Sequence, residues 1–259
     1  MKNTSVSILI NPYNNEPLVL KNGNDFLTDH LGNIVPIVNG IPNFLALEET
    51  KDLNLKYQKF YDKISRLNDI AEVVYSLFYD LKKLRSDWMK DVEVQENWNV
   101  LETSVGTGWN FKVLPKNANY FGIDISAGML KQAQRNQKKW GIPMELFQGN
   151  AEYLPFANNS FDSVFHVGGI NFFNNRERAI LEMIRVAKPN TKIVIIDETE
   201  EKIQQQYRKT PLVKRYFSTS DIDQARTVAP VDLVPKTMKD IEVKLLDKGK
   251  MYQLSFRTI

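Results

Sequence analysis

In the stretch Val100–Gly108, VLETSVGTG, an apolar run ends in the acid Glu102 and gives way to a turn of small residues. Gly106 and Gly108 let backbone approach a ligand closely and take up turn conformations that a side chain penalises. The chemistry on offer is the holding of a ligand by a strand-to-helix loop; without a ligand the same residues make a plain turn. Phosphate is a poor fit for that ligand. A dinucleotide fingerprint needs a third small residue three positions after the second glycine, where Phe111 stands, and the phosphate loop GxxxxGK[ST] occurs nowhere. Asp124 closes the run YFGID, and its two carboxylate oxygens can accept from ligand hydroxyls; its alternative task is to cap the helix that follows. Asn150 follows the run MELFQG and offers an amide oxygen to a donor. His166 lies at the end of the run FDSVFHV, where an open α/β sheet binds its ligands. Its imidazole, titrating at about pH 6.5 when unperturbed, is the candidate general base for an acceptor that must lose a proton. The competing reading is a hydrogen-bonded ring beneath the ligand with no part in the chemistry.

Composition removes several function classes. The chain has 259 residues, 42% of them hydrophobic and 11% aromatic, enough apolar surface to offset chain entropy and fold. Zero cysteines exclude disulfides, thiolate ligands and a cysteine nucleophile, and two histidines are too few for a histidine-rich zinc centre. A formal charge of +3 is too small to argue for a nucleic-acid partner. The opening residues, MKNTSVSILINPY, lack the longer apolar region and small-residue cleavage site of a secretory signal. No apolar run approaches the roughly 20 residues of a spanning helix. A cytoplasmic location is the expectation.

The candidate residues need elements to bring them together. Residues 1–46 alternate short apolar runs with the turn clusters NPYNNEP, KNGND and LGN, which predicts a small β-rich unit. Residues 47–259 form the second unit. From Glu48 to about Lys90, apolar positions such as Leu53, Tyr57, Phe60, Tyr61 and Ile64 recur at helical spacing. Tyr57, Tyr61 and Trp109 are helix-packing aromatics or the lining of an acceptor pocket. Beyond Asn97 the runs NVLETS, YFGIDI, MELFQG, FDSVFHV and TKIVIIDE alternate with helical stretches, the pattern of parallel strands joined by right-handed crossovers. Two further β-rich runs flank Asp247, Lys248 and Gly249, so the sheet ends in an antiparallel hairpin. Lys202, Arg208, Lys209, Lys214 and Arg215 read as a solvated helix face, with contact to a phosphate-bearing substrate as the functional alternative.

Taken in series, Glu102-x-Ser104-x-Gly106-x-Gly108, YFGIDISAGML, QGNAEYLPF, NNSFDSVFHV and VAKPNTKIVIID resemble the ordered motifs of the class I S-adenosylmethionine-dependent methyltransferases, type 11 in particular. The motifs run from Val100 to Asp197, about two fifths of the chain. Ser104 stands at the family's first glycine, Asn150 at an acid, and Asn190 and Thr191 at two glycines of the last motif. The resemblance implies a Rossmann-like α/β fold, a seven-stranded mostly parallel sheet with helices on both faces, and a helical lid at 48–90. It implies S-adenosyl-L-methionine as cofactor, S-adenosyl-L-homocysteine as product, and cofactor contacts at Glu102, Thr103, Ser104, Gly106, Gly108, Asp124, Ile125, Met129, Asn150, Ala151, Glu152 and His166. The expected activity is methyl transfer to a small-molecule acceptor, the alternatives being a ribosomal-RNA-type acceptor or a cofactor-binding regulatory protein without transferase activity. The amino-terminal LINPYNNEPL and HLGNIVPIVNGIPNFL resemble a small zinc ribbon whose four ligand places hold Asn11, Asn14, Thr28 and Leu31. Without thiolates, that unit is expected to bind no structural zinc and to be held by its apolar residues.

Overall fold

The structure, a computed structural model, describes residues 6–21, 23, 25–47, 50–78, 80–199 and 229–259, with backbone alone for 66–78. The five basic residues singled out between 202 and 215 lie outside the described residues. Strands β1 (Val19–Lys21), β2 (Phe26–Thr28), β3 (Ile34–Val38) and β4 (Ile41–Pro42) make a small antiparallel sheet in sequence order. Helices α1 (Asp52–Phe78) and α2 (Leu81–Trp88) follow, occupying the segment with helical spacing.

The second sheet contains β5 (Asn99–Thr103), β6 (Asn119–Asp124), β7 (Met144–Gln148), β8 (Ser163–Val167), β9 (Lys192–Glu198), β10 (Lys239–Leu246) and β11 (Met251–Arg257), in the order β10-β11-β9-β8-β5-β6-β7. β9, β8, β5, β6 and β7 run parallel, and β11 pairs antiparallel with both β9 and β10. Helices α3 (Ala127–Trp140) and α4 (Arg176–Val186) are crossovers. Ser126 caps α3 by accepting from the Met129 N–H, and Gly141 ends it at a φ of 66°. After β5 the chain forms a 3-10 turn, Asn110–Val113, rather than an α-helix. Pro115 accounts for the difference: it disfavours helical backbone at Leu114 and brings no N–H of its own.

Both faces of the central strands β5, β6, β8, β9 and β11 are buried, successive residues pointing to opposite sides, whereas edge strand β10 is largely exposed. Val100, Val194 and Ile196 pack with Leu130 and Ala133 of α3, whereas Leu101, Ile193 and Ile195 pack with Ile180 and Met183 of α4. The latter cluster also takes in Leu9, Leu18, Leu27, Val35 and Phe44, so the amino-terminal sheet shares a core with the larger one. Backbone bridges Leu9 to Phe156 and Asn43 to Gln148 join the two, the second along the outer edge of β7.

A polar centre adds to the apolar residues expected to hold the amino-terminal unit. The Asp29 carboxylate is buried and accepts from the side-chain amides of Asn11, Asn14 and Asn33 at 2.8–2.9 Å and from the main-chain N–H groups of Leu31 and Asn33. Thr28 Oγ1 donates to the Asp29 carbonyl. All four positions compared with zinc ligands thus meet on one aspartate. Among the described residues, no group of three or more His, Cys, Asp or Glu side chains is arranged to hold a metal.

Candidate active site

Strand order reverses at β5, with β6 on one side and β8 on the other; such a switch point opens a crevice at the carboxyl ends of the strands. A cavity of about 330 Å³ occupies it. Glu102, Ser104, Asp124, Asn150, Val167 and Asp197 come from the strand ends and the loops after them, while Asn54, Tyr57 and Tyr61 of α1 and Arg85 and Trp88 of α2 close the cavity from the other side.

The loop after β5 is tied to its neighbour. Val105 N–H donates to the Ile123 carbonyl at 3.0 Å, and Gly106 N–H donates to Asp124 Oδ2 at 2.8 Å. Any Cβ at position 122 would lie 2.7–2.8 Å from Val105, so Gly122 is what lets the loop settle on β6. Ser104 has a φ of 63°, the left-handed backbone that a glycine takes without strain, and Asn190 has a φ of 62°. The backbone has kept a glycine-like shape at two positions where the sequence has not.

Four buried ionisable groups define the electrostatics. Glu102 is fully buried; Oε1 accepts from Asn110 Nδ2, whose own Oδ1 accepts from Arg85 Nη1 at 2.7 Å. Oε2 has no hydrogen-bond partner among the described residues, and burial pushes the carboxyl up to about 8. Asp124 accepts from Gly106 and from Ser126 N–H at 2.9 Å, yet burial, with Asp62 adding like charge, raises it to about 6. Asp197 accepts from the N–H groups of Gly169, Asn171 and Glu198, and burial followed by the Glu198 charge raises it to about 7. Burial pulls His166 down to about 4.

Helix α1 is fastened over the cavity by side chains. Asp62 Oδ1 accepts from Ser126 Oγ at 2.6 Å and from Gly128 N–H at 2.9 Å, and Asn54 Nδ2 donates to Glu152 Oε1 at 2.9 Å. A Cβ at Gly128 would fall 3.0 Å from the Asp62 carbonyl oxygen, so the helices meet in backbone contact there.

Residues 101–195 match the type 11 family described as a methyltransferase domain. Over 162 residues the chain is 33% identical to the demethylmenaquinone methyltransferase of Listeria welshimeri, covering 61% of this chain and 67% of the relative. The chain belongs to the S-adenosylmethionine-dependent methyltransferases. A SAM-dependent methyltransferase from Aquifex aeolicus shares the fold at 19% identity and a TM-score of 0.51, over 68% of this chain and 89% of that one. So does phosphoethanolamine N-methyltransferase 2 of Haemonchus contortus, solved with S-adenosyl-L-methionine, at 16% identity and a TM-score of 0.53, over 67% and 52%. S-adenosylmethionine is the methyltransferase's cofactor.

Of the residues expected from sequence to meet the cofactor, Glu102, Ser104, Gly106, Asp124, Ile125, Met129, Asn150 and Ala151 line the cavity. Asn150 Oδ1 also accepts from Glu152 N–H at 2.9 Å. Thr103, Gly108, Glu152 and His166 are not in its lining. Thr103 and His166 are buried together, Oγ1 to Nδ1 at 3.0 Å; Gly108 adjoins Met144; and Glu152 holds Asn54. The His166 ring lies outside the cavity lining, 5.5 Å between centroids from the ring of Phe173, which does line it. The aromatics Tyr57, Tyr61 and Trp109 do line the cavity. Sequence reasoning missed Arg85, Asn110, Phe172, Phe173, Asp197 and Glu198. Asp197 had a signal, since it ends its strand run as Glu102 and Asp124 end theirs; Arg85, beside Lys82 and Lys83, reads as one more solvated cation.

Proposed function

We propose that this methyltransferase methylates a small, flat aromatic acceptor of the demethylmenaquinone kind in its reduced, quinol form. The observation that carries the reading is the part of the cavity over β8 and β9, where Tyr57, Tyr61, Phe172 and Phe173 are among the lining residues. The Tyr57 and Phe172 rings lie 4.7 Å apart between centroids, closing α1 onto the turn after β8. Such surfaces favour a planar ring by stacking and exclude water from it. The relatives' name points to the same class of acceptor.

The opposite end suits the cofactor. Asp124, held by backbone N–H groups of Gly106, Ser126 and Ile125, suits a ribose hydroxyl with its remaining acceptor capacity, and Ile125, Ala151 and Asn150 suit the adenine edge. The unpartnered Glu102 Oε2 suits an α-ammonium group, and Arg85, joined to it through Asn110, suits the carboxylate of the same amino acid. Bound S-adenosylmethionine supplies an already activated sulfonium methyl group, so the chain's own task is alignment and exclusion of water. A quinol rather than a quinone is required because the acceptor carbon must be nucleophilic.

The amino-terminal unit fits a ribbon that has exchanged its metal for Asp29. Among the described residues no helix is long and apolar enough to cross a membrane. The test is methyl transfer from labelled S-adenosylmethionine to a naphthoquinol bearing an open ring position. Turnover with the quinol and none with the oxidised quinone is expected; transfer to ribosomal RNA in place of the quinol, with binding that falls steeply with salt, would overturn the assignment.

A further inference from the structure

We propose that Asp197 is the catalytic base that removes the acceptor's hydroxyl proton, an assignment resting on the quinol reading above. Its placement is the first reason. Asp197 is the penultimate residue of β9, which β8 and β5 separate from the Asp124 strand, so at a strand spacing of about 4.8 Å the two strands stand roughly 14 Å apart across the sheet. The adenosyl seat and Asp197 are at opposite ends of one cavity.

Its hydrogen bonding is the second reason. Oδ2 accepts from Gly169 N–H at 3.1 Å and Asn171 N–H at 3.0 Å, and Oδ1 from Glu198 N–H at 2.7 Å. Three backbone donors hold the carboxylate in one orientation and leave one of its roughly four acceptor positions for a ligand hydroxyl. Asp197 is among the residues that line the cavity and, at 1% exposed, it is shielded from bulk water.

The groups around it set its basicity. Glu198 is on its own strand, Tyr61 faces it from α1, and Tyr252 approaches from β11 with its hydroxyl donating to Asn171 Oδ1 at 2.9 Å; Arg176 acts on Tyr252 from α4. Burial and the Glu198 charge hold the carboxyl at about 7, where a base is both ionised and able to take a proton at neutral pH. In the step, the acceptor O–H bond breaks, its proton passes to the Asp197 carboxylate, and the electron pair remains on oxygen, from which it raises the nucleophilicity of the adjacent ring carbon. Once the methyl group has moved to that carbon and S-adenosylhomocysteine has left, the C–H proton of the methylated carbon is lost and the oxygen is reprotonated, so one proton in all passes to solvent per turnover. His166 lies outside the cavity lining, and Glu102 and Asp124 sit at the cofactor end.

The test is Asp197→Asn, assayed for kcat against pH with naphthoquinols of graded hydroxyl acidity, alongside calorimetry with S-adenosylhomocysteine. Wild-type kcat is expected to rise with pH through about 7 and level off. The variant should lose about 100-fold in kcat and lose that limb, bind S-adenosylhomocysteine as the wild type does, and show a smaller deficit the more acidic the quinol. Asp197→Glu, which keeps a carboxylate, should retain the limb. A variant with the wild-type profile, a deficit equal for every quinol, or a limb lost in Asp197→Glu overturns the assignment. If the wild type turns over no quinol at any pH, the acceptor reading fails and takes this one with it; wild-type turnover with an unimpaired Asp197→Asn overturns this one alone.

Discussion

Glu102 and Asp29 are both buried carboxylates, and the number of donors around each decides its charge. Burial alone would raise both. Around Asp29, hydrogen bonds from Asn14, Asn33 and Asn11 outweigh it and hold the carboxyl well below the usual range, while Glu102, with Asn110 as its donor, rises to about 8. Glu102 is therefore mostly protonated at neutral pH until a cation arrives, and an α-ammonium group beside Oε2 favours the ionised form. Binding of S-adenosylhomocysteine at pH 7 should accordingly release about one proton, measured by calorimetry in buffers of different ionisation enthalpy. Methylthioadenosine, which lacks the amino-acid end, should release none. Glu102→Gln should abolish the release and weaken S-adenosylhomocysteine binding about 10- to 100-fold. No proton release by the wild type would contradict the role given to Oε2.

Among the elements, the amino-terminal sheet is organised around the buried Asp29 carboxylate. Its two polar turns are cross-linked through one carboxylate by charge-assisted hydrogen bonds. Asp29→Asn keeps the shape but sets an amide donor where donors already converge, so it should lower unfolding stability by about 3 kcal/mol in a denaturant titration. A metal chelator should leave the wild type unchanged, and a drop in stability on chelation would refute the cross-link. The unit also bears on the site: Phe44 packs beside Gly149, and Asn43 pairs with Gln148, immediately before Asn150. Helix α1 makes the equivalent connection on the other side, with Asp62 at the start of α3 close behind Asp124.

For the whole molecule, a shared core predicts that both sheets unfold together. Leu9, Leu27 and Phe44 pack in one cluster with Leu101 and Phe147, so calorimetry should give one transition rather than two. The buried ionisable groups give that transition a pH dependence. Asp124, Asp197 and Glu102, raised to about 6, 7 and 8, contribute in full below about pH 4 and lose their contribution as pH rises through those values. His166, lowered to about 4, acts oppositely: its contribution is lost as pH falls from about 6.5 towards 4. With three carboxyls against one imidazole, and each group changing stability by at most about 1.4 kcal/mol per pH unit, the ligand-free chain should melt lower at about pH 8 than at about pH 5.5. Bound S-adenosylhomocysteine should reduce that difference by stabilising ionised Glu102. A higher Tm at the alkaline pH would show that these carboxyls are not buried as described.

The strand runs, their parallel order, the closing hairpin and the acids at strand ends were legible in the sequence, because side-chain alternation and turn chemistry act over a few residues. The loop after β5 was legible for the same reason, and Ser104 keeps its glycine-like backbone because bonds to β6 hold the loop there. What the sequence did not contain was the polar pairing around and behind the cavity. Arg85 meets Glu102 through Asn110, Asp197 takes three backbone donors, Asn11 and Asn14 converge on Asp29, and His166 pairs with Thr103. Most of these contacts join residues far apart in the chain, and local propensity carries no information about such distances. Packing decides which buried polar group finds a partner, and with it which carboxyl is charged and which is left to meet a ligand.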